Sequence, residues 1–572
     1  MELVYLWVEK YKNIENQGFN FSPRFTCEFF PIYEKDADGK EKLIDNCKLE
    51  IKPNEHIENF FGKNINVTAI VGENGSGKSN ILEMLFGNII SDCNFFYVVS
   101  SKTDDKEKGI LILYKFDDKL SIYSKEIKIG KSYKLSDIND KKKPITEFST
   151  LFYSTSSYIN NISNQGDNIT KAQNLAISEK ETYLIYKLKS IEYALLMIKN
   201  NTNFDKIFEL PKYIIIGVKE YEKSDFYEKL HKSIKPPKTF LQKVKIAILC
   251  EIYKKRQEEV NQIEIDDKND DLDAIFNKII KMKELGGLKD DIDGFIKCAE
   301  SISKDRTYNV GMQVDIDEID DKFVNTYHKM LSSAFSLTMD LDILNFSWYP
   351  NLSTGQETYL FQFAHLYNAI RKDLSGNLMI TIDEGENTLH PNWQKMYIKY
   401  IVDFFTENFS NKKLHIIFSS HSPFILSDIP KENVIFLEKD EKTDNCINVT
   451  DKTNIETFGA NIHTLLSNGF FMKDGLMGEF AKGKINKIIE FHKKVEQQKE
   501  DKIKKEELKT EYEAKKKEFW HIQSIIGEDY LKQVIKNHLI EIEKLLLGRD
   551  EAKNAEITRL QKQIELLESK DA

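Results

Sequence analysis

Two hydrophobic periods alternate along this chain. Up to about residue 155 apolar positions recur every second residue or in short β-branched runs, as strands require. Residues 25–33 and 43–51 read as strands, and Asp36-Ala37-Asp38-Gly39 between them reads as a hairpin turn. Val67-Thr68-Ala69-Ile70-Val71 is a buried strand, followed by Ile81, Leu82, Leu85 and Phe86 at helical spacing. Strands return at 109–114, 119–123 and 150–154. From about Glu179 the period becomes helical, with Leu184, Leu188, Ile191, Leu195 and Ile198 on one stripe. Residues 240–253, 272–282 and 323–335 are predicted helices, with loops at the acidic run 266–273 and at Gly286-Gly287. Strand character resumes at 341–348, 378–384, 414–418, 434–437 and 446–449, with helices over 357–371 and after Pro391. Beyond about 475 the chain is helical and rich in Lys and Glu. Ile557, Leu560, Ile564 and Leu567 take the spacing of a short coiled coil. The pattern divides the chain into a strand-rich lobe (1–160), a mostly helical insertion (161–340), a second lobe (341–450) and a C-terminal helical segment (451–572).

Composition narrows the class. With 572 residues, 41% of them hydrophobic and 30% charged, the chain has mass for more than one domain and apolar surface for a sizeable core. No apolar run approaches the ~20 residues that span a bilayer. The start, Met1-Glu2-Leu3-Val4, lacks the basic opening of a signal peptide, so a cytoplasmic protein is expected. The six cysteines lie far apart without a CxxC pair and read as reduced thiols. A net charge of -10 argues against a uniformly basic nucleic-acid binder and leaves room for a local groove. Lys232, Lys235, Lys238, Lys243 and Lys245 form the best such cluster, and a solvated face accounts for them more simply than DNA. With 76 lysines against 6 arginines, phosphate contacts would be point-charge and sequence-blind. An EF-hand counted from Glu34 fails, because its twelfth position is Asp45.

The chemistry begins at Gly72-Glu73-Asn74-Gly75-Ser76-Gly77-Lys78-Ser79. A strand precedes it and a helix follows, which is the context the phosphate-loop pattern GxxxxGK[ST] needs. Glycines let successive N–H groups curl round an anion, and the helix N-terminus adds a favourable partial charge. Lys78 is placed to reach the β- and γ-phosphates of ATP, and Ser79 to ligate Mg²⁺. Gly130-Lys131-Ser132 is a decoy, since the position five before Gly130 is Lys125. The apolar run Leu378-Met379-Ile380-Thr381-Ile382 ends in Asp383-Glu384, as a Walker B strand does. There Asp383 would hold Mg²⁺ and Glu384 would polarise the attacking water.

Leu352-Ser353-Thr354-Gly355-Gln356, one helix before that strand, resembles the ABC signature, with Thr354 where glycine is usual. His421 follows a buried strand 37 residues after Glu384. Phosphate loop, signature, Walker B and histidine in this order resemble an ABC-type ATPase head of the RecF/SMC/OLD class. Asp383-Glu384-Gly385-Glu386-Asn387-Thr388-Leu389-His390-Pro391 and Ser420-His421-Ser422-Pro423 are worded as in that class. The opening 3–14 and Phe458-Gly459-Ala460-Asn461-Ile462-His463 are similar to ATPases of anti-phage systems, notably the Septu type and its retron-linked relatives.

The resemblance implies an α/β P-loop head with a helical insertion and a C-terminal helical segment. It implies ATP and Mg²⁺ as cofactors, and His421 as a switch residue touching the γ-phosphate. Ser353, Gly355 and Gln356 would serve ATP held by a second copy, giving a homodimer or higher oligomer with sandwiched nucleotide. There is no clear Q-loop glutamine, and the region near Tyr153-Ser154 takes that place. No nuclease constellation is present: Asn537-His538 sits in a helical pattern, and no TOPRIM-like acid cluster follows the ATPase. The expected function is therefore an ATP-driven sensor or scaffold for a separate HNH-type nuclease, with DNA as a further partner. A RecF-like repair ATPase is the alternative, and an assembly protein that binds ATP without turnover a third, against which Glu384 speaks.

Overall fold

The computed structural model describes residues 2–568, apart from 36–38, 40, 45–46, 87–93, 102–108, 116–121, 124–128, 135–147, 155–170, 175–182, 201–203, 205–206, 222–224, 231–236, 267–269, 305, 307–310 and 470–476. The chain forms two units, Met1–Phe471 and Met472–Ala572.

A 12-stranded sheet organises the first unit. Half of it is parallel, in the order Val434–Lys439, Ile65–Gly72, Lys413–Ser420, Asn377–Asp383, Phe148–Ser154, Lys171–Asn174. Continuous β-branched and aliphatic runs suit strands covered on both faces. Side chains then alternate between two cores. Ile70, Phe152, Met379, Ile417 and Ile435 meet Ile81, Leu82 and Leu85 of the helix Lys78–Phe86. Val71, Tyr153, Ile382 and Phe418 face the opposite core with the remaining helices. The register aligns the strand ends. Ser419 lies between Ile70 and Asp383, Ser154 is opposite Asp383, and Leu437 is opposite Gly72.

The other half is a mainly antiparallel wing. Cys446–Asn448 turns back on Val434–Lys439, and Ile14–Asn20, Glu2–Tyr11, Phe95–Ser101, Gly109–Lys115 and Ile129–Lys134 continue the sheet. Phe25–Phe30 pairs with Cys47–Pro53 in a small sheet below it. Trp7, Phe29 and Phe96 join the two, with Phe29 ring centroids 4.7 Å from Trp7 and 4.9 Å from Phe96. The expected strand over 25–33 breaks after Phe30, and Tyr33–Lys35 pairs with Glu41–Leu43 as a separate hairpin. Most of that turn, with the EF-hand positions Asp36 and Asp38, lies outside the described residues, as does Cys93. Five cysteines are described, all free thiols. Burial pushes Cys27 and Cys446 up to about 12, which makes them inert.

The described residues of the insertion are mostly helical, in Tyr183–Lys199, Phe240–Lys255, Leu272–Ile280, Leu288–Ser303 and Asp321–Ser336 among others. It also holds a sheet that the sequence pattern did not reveal. Tyr213–Val218 pairs with Met312–Asp315 and with Leu344–Tyr349. The strand expected at 341–348 therefore belongs to the insertion, not to the ATPase sheet. The Tyr327 hydroxyl fastens it by accepting the N–H groups of Ile343 (2.9 Å) and Leu344 (3.0 Å). The first unit also runs past 450, where Gly459 N–H donates to Ser427 C=O at 2.8 Å and the Thr457 hydroxyl to Ile429 C=O.

The described residues of the second unit pack as four helices, Glu479–Gln498, Lys502–Ile525, Asp529–Leu547 and Arg549–Glu568. Ile485, Ile488, Ile535, Leu539 and Ile542 fill its core with Phe491, Tyr512 and Phe519. Ile557 and Leu560 of the last helix are exposed instead, so the described part of that stripe is not a buried coiled-coil seam. A polar clamp holds this helix. Glu543, with no exposed surface, accepts from Arg559 at 2.6 and 3.0 Å, from Tyr512 at 3.0 Å and from Trp520 at 3.1 Å. The Arg559 guanidinium stacks 3.6 Å from the Trp520 ring. Burial alone would raise the Glu543 carboxyl, but these bonds outweigh it and hold it low. His538 faces His492, Nδ1 to Nδ1 at 2.8 Å. Removing one partner of a buried pair strands the other charge. R559A is therefore expected to destabilise the second unit by about 3 kcal/mol, seen as a lower melting midpoint for Met472–Ala572. An unchanged midpoint would show that the clamp contributes nothing.

Candidate functional site

The phosphate loop turns on glycines where conformation or close neighbours exclude a side chain. Gly75 and Gly77 take φ of +79° and +105°, left-handed values that glycine adopts without strain. A Cβ on Gly72 would lie 2.3 Å from the Leu437 carbonyl oxygen. One on Gly77 would crowd Asn13 and Cys446 at 3.1 Å. Neighbours brace the curve. Asn13 donates to Gly75 C=O at 3.0 Å and accepts from Asn80 at 2.7 Å. Glu73 accepts Lys439 N–H at 3.1 Å, so its side chain braces the loop. Ser76 Oγ is buried without a partner. Lys78 Nζ donates to the carbonyls of Gly72 and Glu73, both at 3.0 Å. Burial lowers the Lys78 pKa to about 8, against the pull of Glu384, Asp383 and Glu73.

Across the sheet edge, Asp383 accepts from the Ser419 hydroxyl. Glu384 turns out of the strand with φ +48°, its N–H donating to Ser419 C=O at 3.1 Å. A Cβ on Gly385 would come 2.4 Å from Gln362 Nε2 and 2.5 Å from the Tyr397 hydroxyl, which fixes the turn. His421 Nε2 lies 3.3 Å from Glu384 Oε1, and the Asn387 amide donates to Oε2. The bond to His421, with that of Asn387 and the Lys78 charge, holds the Glu384 carboxyl below its ordinary range despite burial. The parallel register thus brings together 72–79, Asp383, Glu384 and His421.

The signature segment is built differently. Ser353 caps the helix Thr354–Lys372, accepting Gln356 N–H at 3.3 Å while the Gln356 side chain accepts Ser353 N–H at 2.9 Å. This is a capping box, and it occupies Gln356 within its own helix. A Cβ on Gly355 would lie 3.4 Å from Thr388 C=O, in the turn after Glu384. Among the described residues no hydrogen bond or ion pair joins 353–356 to 72–79. Ser154 ends its strand opposite Asp383, where the coupling segment was expected, and the residues after it lie outside the described set. Of the lysine cluster, Lys232 and Lys235 also lie outside it, and Lys245 is paired with Asp273 at 2.6 Å.

Sequence reasoning missed Asn13, Asn387 and Ser419. Only Ser419 left a signal, as a polar residue closing a buried strand.

The residues suit a nucleoside triphosphate. The glycine curl presents N–H groups, the Ser76 hydroxyl is buried and unsatisfied, and Lys78 holds loop carbonyls that a phosphate would replace. Among the described residues no three His, Cys, Asp or Glu side chains form a metal cluster. Mg²⁺ at such a site takes most of its oxygens from phosphate and water, so Ser79 and Asp383 are a sufficient protein share. No helix among the described residues is long and apolar enough to cross a membrane.

A parallel α/β sheet with a phosphate loop on one strand and paired carboxylates ending another defines a P-loop ATPase. Residues 42–426 match the family described as AAA ATPase domain, and the chain belongs to it. It is also 21% identical, over 457 residues, to the Retron Vc95 probable ATPase of Vibrio cholerae serotype O1 biovar El Tor, covering 73% of this chain and 81% of that protein.

The Lys78 environment fixes a pH dependence. Its pKa lies at about 8 rather than 10.5, and bound polyphosphate favours the charged form. Above pH 8 binding must then take up a proton, and ADP affinity is expected to fall by up to about tenfold per pH unit. Calorimetry in buffers of different ionisation heat measures this. Affinity that stays flat between about pH 7 and 9.5 would assign the titration elsewhere.

Proposed function

We propose that this ATPase hydrolyses ATP between two copies of its head and that its nucleotide state controls a separate nuclease in bacterial anti-phage defence. The hydrolytic half rests on one observation, Glu384 held 3.3 Å from His421 at the same sheet edge as Lys78, in surroundings that keep its carboxyl below its ordinary range. In this reading Lys78 neutralises the β- and γ-phosphates. Glu384 accepts a proton from water as its oxygen attacks the γ-phosphorus and the bond to ADP breaks. His421 donates to the γ-phosphate oxygens. Ser79 and Asp383 would hold Mg²⁺, which supplies charge neutralisation on the phosphates.

The trans arrangement draws on the capping box. Ser353 Oγ spends a lone pair on Gln356 N–H and keeps its proton to donate. The helix N-terminus behind it favours an anion. A nucleotide held by Lys78 and Ser79 of one copy and by Ser353 and Gly355 of another would join two heads. E384Q is expected to bind ATP, lose turnover and accumulate as the joined pair. Light scattering with and without ATP reads this, and an unaltered mass with wild-type turnover would sink the proposal.

The defence half rests on likeness to the Septu type and on the retron-associated relative. In this reading the nuclease is a separate HNH-type subunit. Its dock would be the second unit, a self-contained helical module. A cut inside Glu479–Gln498 would divide the core that Phe491 and Val495 share, so the informative cut follows Phe471. The head alone is expected to remain an ATPase and to lose the product of the neighbouring nuclease gene in co-purification. Full retention of that product by the head would move the dock there.

A further inference from the structure

The turn after Glu384 carries a second acid, Glu386, for which phosphate chemistry has no direct use. It is completely buried. Its Oε1 accepts the Ser420 hydroxyl. That hydroxyl in turn accepts Ser422 N–H at 2.9 Å, closing a short turn around His421. The Ser422 hydroxyl donates to Gln394 Oε1 at 2.8 Å, and the Gln394 amide donates back to Glu386 C=O at 3.3 Å. The bonds make a closed ring through 386, 420, 422 and 394.

A serine hydroxyl has one proton. Given to Glu386, it leaves the lone pairs of Ser420 facing Ser422 N–H, and the turn is locked. Without the carboxyl the hydroxyl can rotate and the turn loses its anchor. We propose that Glu386 is a positioning residue for ATP hydrolysis, fixing through Ser420 the turn that aims His421 at Glu384 and at the γ-phosphate.

Two observations separate this from simple core packing. Glu386 Oε2 is buried and has no partner, so an apolar side chain would fold at less cost. Burial also pushes the carboxyl up to about 7, with the Ser420 bond opposing, Glu384 adding to the rise and His421 opposing it. The contribution is therefore an acceptor in a fixed place more than a charge.

The inference rests on the reading of Glu384 and His421 given above, and the test separates the two. E386L fills the space without an acceptor. Its turnover is expected to fall about 10- to 100-fold, as misplaced catalytic groups do, while affinity for a fluorescent ATP analogue changes by less than about twofold. E386Q keeps an acceptor for Ser420 and should recover to within about threefold of wild type. S420A, which removes the hydroxyl without touching the acid, should match E386L, and the double variant should be no slower than either. Wild-type turnover in E386L or S420A overturns the proposal. So does E386Q as slow as E386L, or nucleotide affinity falling in step with turnover. Wild-type turnover in H421A overturns both this proposal and the role given to His421.

Discussion

The site depends on parallel register. Three neighbouring strands, Ile65–Gly72, Lys413–Ser420 and Asn377–Asp383, are hydrogen-bonded so that Ile70, Ser419 and Asp383 lie side by side. A parallel ladder points every strand the same way, so all the loops that follow gather at one edge. A slip of one residue in Asn377–Asp383 would turn Asp383 away from the site and bring Ile382 into its place. Side chains that alternate between two different cores oppose such a slip. Packing of Ile417 and Met379 on one side and Phe418 and Ile382 on the other thereby sets the chemistry at the edge.

Around that edge, groups come closer than ordinary side chains allow. Leu437 C=O comes against Gly72, and Gln362 and Tyr397 against Gly385. The first is a backbone approach and the other two are side chains closing on backbone, and further polar side chains do the bracing. Asn13, Glu73, Ser419 and Ser420 each spend a hydrogen bond on another part of the site. The result is a first ring that faces the nucleotide and a second that fixes its shape.

What was legible in the sequence follows from this division. Motifs 72–79 and 378–384 are readable because their chemistry needs particular residues at fixed local spacing. His421 was readable through resemblance, since a lone histidine after a strand carries no signal of its own. The braces were not readable, because each joins residues far apart: Asn13 with Gly75, Ser419 with Asp383, Ser420 with Glu386. The signature pentapeptide holds a different lesson. Its Ser353 and Gln356 form a capping box, a local pattern that a pentapeptide does not distinguish from a nucleotide contact. The insertion sheet escaped notice because Tyr213–Val218 is short and its partners lie about a hundred residues on. The amphipathic stripes after 475 gave the helices of the second unit, but nothing in their period announced the Glu543–Arg559 clamp.

The loop that grips the nucleotide is held from both ends of a long stretch of chain. Asn13 C=O accepts Cys446 N–H at 2.7 Å, and Lys439 N–H reaches Glu73. During synthesis these partners leave the ribosome hundreds of residues apart. Residues 72–79 therefore emerge early with no strand on either side, and closing so long a span is slow. The nucleotide grip is completed only once Val434–Lys439 and Cys446–Asn448 have been made and docked. The bracing of the nucleotide loop is thus a property of the whole head, supplied by segments that lie far before and far after one another in the chain.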